Sequence, residues 1–383
     1  MAAPLRPKQR QAIASAVVRD TLCVLPTGFG KTRIIENVPK DNNSVAIVIN
    51  PLSCIIEQQL QSFSPNAVKL ESLSKEEISH ARDGLEHGNI RYILVHPEQA
   101  ITSVFKKFLM DVSTVVNVSH IIVDEAHCIL SWGASQFRPA FLKIGTLRVI
   151  LPDAKILALT ATATEEAQIF IMSNLSMSNV NIITESPDRR NVFLQVEERS
   201  PSTGGQNSAE DSVYAVLDKF LQKLKLKKQS FEKTIVYLPL KWCGLVHLRA
   251  KIVFDMKTRI VDELKKPDSS IRLLLATEAC GMGVDIPDVR CIVHLTPPNN
   301  IETFIQQIGR CGRDGRRSES CVYFNKSDIA SNKVNLSDHV RKYLSLDSCR
   351  RKYILNYFGH SDEVISEQNI DCCDNCSNCA KVY

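Results

Sequence analysis

A short apolar run at residues 21–25 breaks into Thr27-Gly28-Phe29-Gly30-Lys31-Thr32 and passes straight into a helix-like pattern over residues 31–38. This order constrains the fold more than any other feature. Glycines at 28 and 30 let backbone N–H groups turn inward around phosphate oxygens, and the helix that follows adds the positive end of its dipole. Counting back from Lys31, the spacing is that of a P-loop, with Leu25 in place of the usual small first residue. Lys31 is expected to reach the β- and γ-phosphates of ATP and Thr32 to ligate Mg²⁺, with Thr27, Gly28 and Gly30 lining the cradle. A loop of this kind joins a strand to a helix, so the chain around it should supply a parallel sheet.

The rest of the chain has that pattern. Residues 45–50, 92–95, 120–123 and 156–159 are short Val-, Ile- and Leu-rich runs of the kind that form strands buried on both faces, and helix-like stretches such as 54–63 lie between them. The alternation predicts an α/β domain with an open, mostly parallel sheet. A polar, aperiodic segment at 200–212 reads as a loop or linker, after which strands are predicted at 234–238, 272–276, 291–295 and 320–324. The expected organisation is an ATP-binding lobe over 1–185, a second α/β lobe over 186–330, and a helical, cysteine-rich module over 331–383.

Composition narrows the class. Lys and Arg number 47 against 42 Asp and Glu, a net charge of +5, with 44% hydrophobic and 23% charged residues. Collagen-like, disordered and disulfide mini-scaffold chains are excluded. The first ten residues hold no apolar segment and no run approaches 18 apolar residues, so neither a secretory signal nor a membrane span is expected. Of the 13 cysteines, five fall in the last 35 residues. In the reducing compartment this implies, clustered cysteines read as metal ligands before disulfides.

Two more elements fit a nucleotide site. The run 120–123 ends in Asp124-Glu125-Ala126-His127, an acidic pair where open α/β sheets bind ligands. Asp124 is expected to hold Mg²⁺ and Glu125 to orient and deprotonate the attacking water. Far downstream, Arg310 and Arg313 stand in QQIGRCGRDG, three apart, so that on a helix they would share a face. They are read as arginine fingers stabilising charge on the transferred phosphate.

Together these residues resemble a superfamily 2 helicase, specifically the RecQ family of DNA helicases, over nearly the whole chain. The resemblance implies two RecA-like lobes plus a small helical zinc-binding module. It assigns Gln9 to reading the adenine edge and Arg6 to stacking on it. Residues 158–164 (ALTATAT) resemble motif III, Val236 and Tyr237 motif IV, 276–285 motif V, and 306–313 motif VI, which adds Gln306 to the catalytic set. Asp188-Arg189-Arg190-Asn191 looks like the segment joining the lobes. Residues 128–141 (CILSWGASQFRPAF) resemble the aromatic-rich loop that senses single-stranded DNA, with Trp132, Phe137 and Arg138 as contacts; Phe141 either joins them or packs a local core. The family's zinc module implies Cys349 with Cys373, Cys376 and Cys379 as Zn²⁺ ligands; Cys372 is a fifth cysteine that could replace Cys373.

The sequence departs from the pattern in four places. Five residues precede Arg6, and an upstream aromatic that would help clamp adenine is not expected among them. Ala134-Ser135-Gln136 make the aromatic loop one residue longer and replace its histidine. The second lobe is short: helices near 241–251 and 257–266 leave only Ile252-Val253-Phe254 as a stub strand. The sequence read ends at Tyr383, so the winged helix that grips duplex DNA in many RecQ proteins is not expected within it. The expected activity is ATP- and Mg²⁺-dependent translocation on single-stranded DNA, 3′ to 5′ by resemblance, with unwinding of duplex DNA. An unwinding-deficient or non-catalytic DNA-binding paralogue or splice form, with an incomplete second lobe, is the alternative. No membrane partner is expected, and the site of action is the nucleus if the source is a eukaryote, otherwise the cytoplasm.

Overall fold

A computed structural model describes residues 4–38, 44–200, 208–239, 263–277, 286, 288–362 and 370–380. The chain divides into two compact units, Met1–Pro187 and Asp188–Tyr383.

The first unit carries, among the described residues, seven strands: β1 (Thr21–Val24), β2 (Ser44–Ile49), β3 (Ala67–Leu70), β4 (Tyr92–Val95), β5 (Asn117–Val123), β6 (Lys155–Thr160) and β7 (Asn181–Thr184). They form one sheet in the order β3-β4-β2-β5-β6-β1-β7, and every neighbouring pair runs parallel. The central strands are apolar at every position because both faces are covered. Along β2, Val45, Ile47 and Ile49 join one core cluster while Ala46 and Val48 join another on the opposite face. Parallel strands need crossovers, and helices α1 (Pro7–Val18), α2 (Lys31–Asn37) and α3 (Ser53–Phe63) are among those that supply them and pack the faces.

The second unit has, among the described residues, β8 (Val192–Glu198), β9 (Thr234–Tyr237), β10 (Leu273–Ala276), β11 (Cys291–His294) and β12 (Ser318–Phe324) in the order β10-β9-β11-β12-β8, again all parallel. One face packs against the helix Ser208–Lys227 through Val213, Val216 and Leu217. The other packs against the helix Ile301–Ile308 and against Cys349, Cys372, Cys373 and Cys376, so the cysteine-rich tail shares this unit's core. The isolated bridge Leu194 to Cys373 and the bond from Val196 N–H to Asp374 Oδ2 at 2.9 Å tie the tail to the edge strand β8. The helix from Ser208 starts inside the segment read as a loop through 212. The stub strand expected at 252–254, the helix expected at 241–251 and most of motif V lie outside the described residues.

Candidate active site and zinc centre

The carboxyl ends of β1, β5 and β6 bring the first unit's candidate residues together. Gly28 and Gly30 sit at φ +78° and +90°, left-handed values that a side chain disfavours, so the loop turns back on itself before α2 starts at Lys31. Lys31 Nζ caps the loop by donating to Leu25 O at 3.2 Å. Gln9 is buried and bonded at both ends of its amide: its Oε1 accepts the Arg6 N–H at 2.8 Å and keeps a second lone pair, and its Nε2 donates to Phe29 O and Gly30 O, each at 3.0 Å. The residue expected to read adenine thus also braces the phosphate loop. Arg6 is exposed, its guanidinium 5.0 Å from the centre of the Phe29 ring.

Asp124 and Glu125 follow β5. Backbone bonds from Asp124 N–H to Ile49 O and from Ala126 N–H to Leu159 O pin this turn to both neighbouring strands. Asp124 is buried; Glu125 N–H donates to its Oδ1 at 3.0 Å and Gln59 Nε2 to its Oδ2 at 2.9 Å. Burial first, and then the neighbouring Glu125 carboxylate, raise its pKa to about 6 against the pull of Lys31. Glu125 sits at φ +49°, strain of order 1–3 kcal/mol that proteins tolerate mostly at functional turns. Its buried Oε2 makes no hydrogen bond among the described residues and lies 3.4 Å from His127 Nδ1. That nitrogen also meets Thr160 Oγ1 at 3.2 Å, joining the acidic turn to the ALTATAT segment. Glycines at left-handed values, a lysine, a buried carboxylate and a buried carboxylate oxygen without a donor suit a magnesium-nucleotide. Thr32 and Asp124 would hold the ion, which supplies charge neutralisation of the phosphates when bound.

The aromatic loop opens as a π-helical turn, Ile129–Ala134, wider than an α-turn, and closes with Arg138 N–H donating to Trp132 O at 2.9 Å. The lengthened stretch is accommodated by Gln136 at φ +64°. Phe137 is 71% exposed and Trp132 half-buried, their rings 5.7 Å apart edge to face. Phe141 is fully buried and belongs to the core. Arg138 is held inside the unit: it pairs with Glu98, donates to Pro51 O, and lies over Trp132 and Phe141 at 5.6 and 5.4 Å.

In the second unit, Arg310 and Arg313 do not share a helix face as their spacing suggested. The helix ends at Ile308, and Gly309 and Gly312 (φ +60°) carry the chain through a turn instead. That turn is braced from the segment after the first unit: Arg189 Nη2 donates to Gly309 O at 3.0 Å, and Asn191 Nδ2 to Gly312 O and Arg316 O, each at 2.8 Å. Arg313 Nε donates to Gly309 O at 3.4 Å, Arg310 is buried and Gln306 half-buried.

The metal set also differs from expectation. Sulfurs of Cys349, Cys372, Cys373 and Cys376 lie within 4.8 Å of one another, with Cys349–Cys372 at 3.6 Å and Cys373–Cys376 at 3.5 Å. A tetrahedral zinc with bonds of about 2.3 Å spaces its sulfurs about 3.8 Å apart, so the cluster fits the ion. Cys379, expected as the fourth ligand, is exposed and outside the cluster. The helix Asp374–Ala380 carries it a turn beyond Cys376, whereas Cys372 precedes that helix and stays buried beside Cys373. Cys372 Sγ also accepts from Arg351 Nε at 3.4 Å.

Family models match in tandem: DEAD/DEAH box helicase over residues 6–170, helicase conserved C-terminal domain over 216–315, and RecQ zinc-binding over 316–380. A relative from Acanthamoeba polyphaga mimivirus, bearing the name of an ATP-dependent RNA helicase, is 31% identical over 403 residues, covering 99% of this chain and 70% of its own. The chain belongs to the RecQ family of superfamily 2 ATP-dependent helicases. Among RecQ relatives, the ATP-dependent DNA helicase RecQ of Haemophilus influenzae is 26% identical over 98% of this chain and 61% of its own. The bifunctional 3′-5′ exonuclease/ATP-dependent helicase WRN of Mus musculus is 28% identical over 97% of this chain. The chain spans only 28% of that mouse protein's length. The shared fold of two RecA-like domains is seen in S. cerevisiae Dbp5 bound to RNA and ADP BeF3, with TM-score 0.60 and 17% identity over 88% of this chain and 87% of that one. Mycobacterium smegmatis Lhr bound to ssDNA and AMP-PNP gives 0.60 and 18% over 86% and 47%. A RecQ-family member carries ATP, Mg²⁺ and Zn²⁺, and the cysteine cluster and phosphate loop are where this chain would hold them. Among the described residues no helix is long and apolar enough to cross a membrane.

Sequence reasoning assigned no role to several buried polar groups. Asn50 and Gln59 back Asp124, and in the second unit His294 Nε2 meets Gln307 Oε1 at 2.8 Å beside a cavity of about 370 Å³. Burial lowers the His294 pKa to about 4. The available signal was position: Asn50 and His294 each end an apolar run at the carboxyl edge of a parallel sheet, where ligands bind.

Proposed function

We propose that the chain is the motor core of a DNA helicase that couples ATP hydrolysis to 3′-to-5′ movement on single-stranded DNA and to unwinding of duplex DNA. The observation that carries this reading is the loop after Glu125. It offers an exposed aromatic, Phe137, and a half-buried one, Trp132, to unpaired bases, and it is joined covalently to the acidic turn. Stacking on such aromatics is worth about 1–3 kcal/mol per base. In this mechanism Arg6 and Gln9 hold the base, and Thr27, Gly28, Gly30, Lys31 and Thr32 hold the phosphates. Glu125 takes a proton from the attacking water. Gln306, Arg310 and Arg313 act on the γ-phosphate. Arg138 orients the aromatic loop and turns to phosphate when DNA displaces its contacts. Cys349, Cys372, Cys373 and Cys376 hold the zinc that fastens the tail to the second unit. Nuclear residence follows if the source is a eukaryote.

A second reading, an RNA helicase, is favoured by the name of the mimiviral relative; the RecQ-type loop and zinc cluster weigh against it. The deciding experiment compares ATPase stimulation by single-stranded DNA and RNA, and unwinding of 3′- and 5′-tailed duplexes. Stimulation by DNA, unwinding only from the 3′ tail, and loss of turnover in Lys31→Ala and Glu125→Gln are expected. Stimulation by RNA alone, or equal hydrolysis by wild type and Glu125→Gln, would sink the reading.

A further inference from the structure

Three polar side chains are buried in a row behind the acidic turn. Asn50, just past β2, is 0% exposed, Gln59 on α3 is 2%, and Asp124 is 6%. Asn50 Nδ2 donates to Gln59 Oε1 at 2.9 Å, and Gln59 Nε2 donates to Asp124 Oδ2 at 2.9 Å. Chemistry dictates the polarity of this chain. An ionised carboxylate only accepts, so Gln59 must turn its amide N–H₂ toward Asp124. Its carbonyl then faces Asn50, and Asn50 must donate. Asn50 Oδ1 is left buried with no hydrogen bond among the described residues. A core selected for stability alone would fill these positions with apolar side chains rather than keep an orphan acceptor.

We propose that Gln59 is a positioning residue for the magnesium-holding carboxylate, clamping the rotation of Asp124 while Asn50 fixes which way the Gln59 amide points. The inference rests on the reading of Asp124 as the carboxylate that holds the ion. Oδ1 of Asp124 takes the Glu125 N–H and Oδ2 takes Gln59, so the carboxylate plane is fixed at both oxygens while each keeps a lone pair free. The clamp is mounted on rigid parts: Asn50 N–H donates to Val95 O at 3.1 Å, and His96 Nδ1 meets Asn50 O at 3.1 Å. The Gln59 side of the clamp is therefore anchored outside the turn at Glu125, which holds the other oxygen. Outer groups that orient a metal-binding side chain are typically worth about 10–100-fold in metal affinity.

The test uses the full chain with Mn²⁺ as a spectroscopic probe. Mn²⁺ binding is followed by electron paramagnetic resonance in the presence of ADP, and ADP binding is measured separately in chelator. Gln59→Met keeps the volume and removes the donor. Asn50→Leu leaves Gln59 in place but unanchored; it exchanges one orphan acceptor (Asn50 Oδ1) for another (Gln59 Oε1), so the thermal melt should hardly move. Both variants are expected to weaken Mn²⁺ binding about tenfold or more, and to raise the Mg²⁺ concentration needed for half-maximal ATPase in proportion. Metal-free ADP affinity should stay at the wild-type value. Wild-type Mn²⁺ affinity in Gln59→Met overturns the proposal, as does an equal loss of metal-dependent and metal-free ADP binding. Asp124→Asn separates the two layers. If it binds Mn²⁺ normally, the assignment of Asp124 falls and this inference with it. If it loses Mn²⁺ while Gln59→Met does not, only the positioning role falls.

Discussion

The guanidinium of Arg138 donates to both carboxylate oxygens of Glu98, Nε to Oε1 at 2.7 Å and Nη2 to Oε2. The one cation of the aromatic loop is thus bound to the short helix Pro97–Ala100 that follows β4, and its π contacts fix Trp132 and Phe141 around it. Arg138→Ala should release the loop. Stimulation of the ATPase by single-stranded DNA is expected to fall about tenfold, the loss of one such contact of about 1–3 kcal/mol, while the rate without DNA is unchanged. Acrylamide quenching of tryptophan fluorescence should rise. Equal loss of basal and stimulated rates would show that Arg138 supports the fold rather than the loop.

Gly30 and Gln9 are locked together in the same way. A Cβ on Gly30 would come within 2.6 Å of Gln9 Nε2, and the residue sits at φ +90°. Gly30→Ala is expected to push Gln9 out of its bonds to Phe29 O and Gly30 O, and to add about 1–2 kcal/mol of left-handed strain. Nucleotide affinity should fall by an order of magnitude or more, as read by titration with a fluorescent ADP. Unchanged affinity would separate Gln9 from the nucleotide site.

The acidic pair carries a pH signature. In the fold, burial and the Glu125 carboxylate raise the Asp124 pKa to about 6, against about 3.9 for an unfolded Asp. A raised carboxyl pKa means the fold favours the protonated form. Without metal, Asp124 is then least costly below about pH 4; stability falls as pH rises to about 6 and is flat above. Metal binding has the opposite slope, because the ion needs the carboxylate. At sub-saturating Mg²⁺ the ATPase should lose activity as pH drops through about 6, and added Mg²⁺ should move that limb to lower pH. A limb that ignores Mg²⁺ would belong to another group.

The central strands were legible because they are buried on both faces and read as continuous apolar runs. The strands missed, β3, β7 and β8, all lie at sheet edges. Edge strands carry polar residues such as Lys69, Asn181 and Gln195, which blunt an unpaired edge and erase the signal. The phosphate loop and acidic turn were legible because their chemistry is local in sequence. The Asn50–Gln59–Asp124 chain was not, because it joins three elements whose proximity only the parallel sheet creates. The ligand set implied by the resemblance also differs: it named Cys373, Cys376 and Cys379, but a helix begins between them and turns the last thiol outward.

That correction gives the sharpest test. Cys372 and Cys379 are chemically identical and seven residues apart, yet one is buried in the thiol cluster and the other exposed. Cys379→Ser should keep one zinc per chain by atomic emission and melt like wild type. Cys372→Ser should lose zinc or bind it far more weakly. Structural zinc in small modules contributes about 10–16 kcal/mol of apparent binding energy, and these thiols lie in the same core as Tyr343 and Ile354. Zinc loss should therefore lower the melting of the second unit, while the first, with its own separate cores, is spared. Calorimetry with and without a strong chelator should resolve one shifted transition and one fixed. Full zinc occupancy in Cys372→Ser together with loss in Cys379→Ser would restore the ligand set that the family resemblance implied.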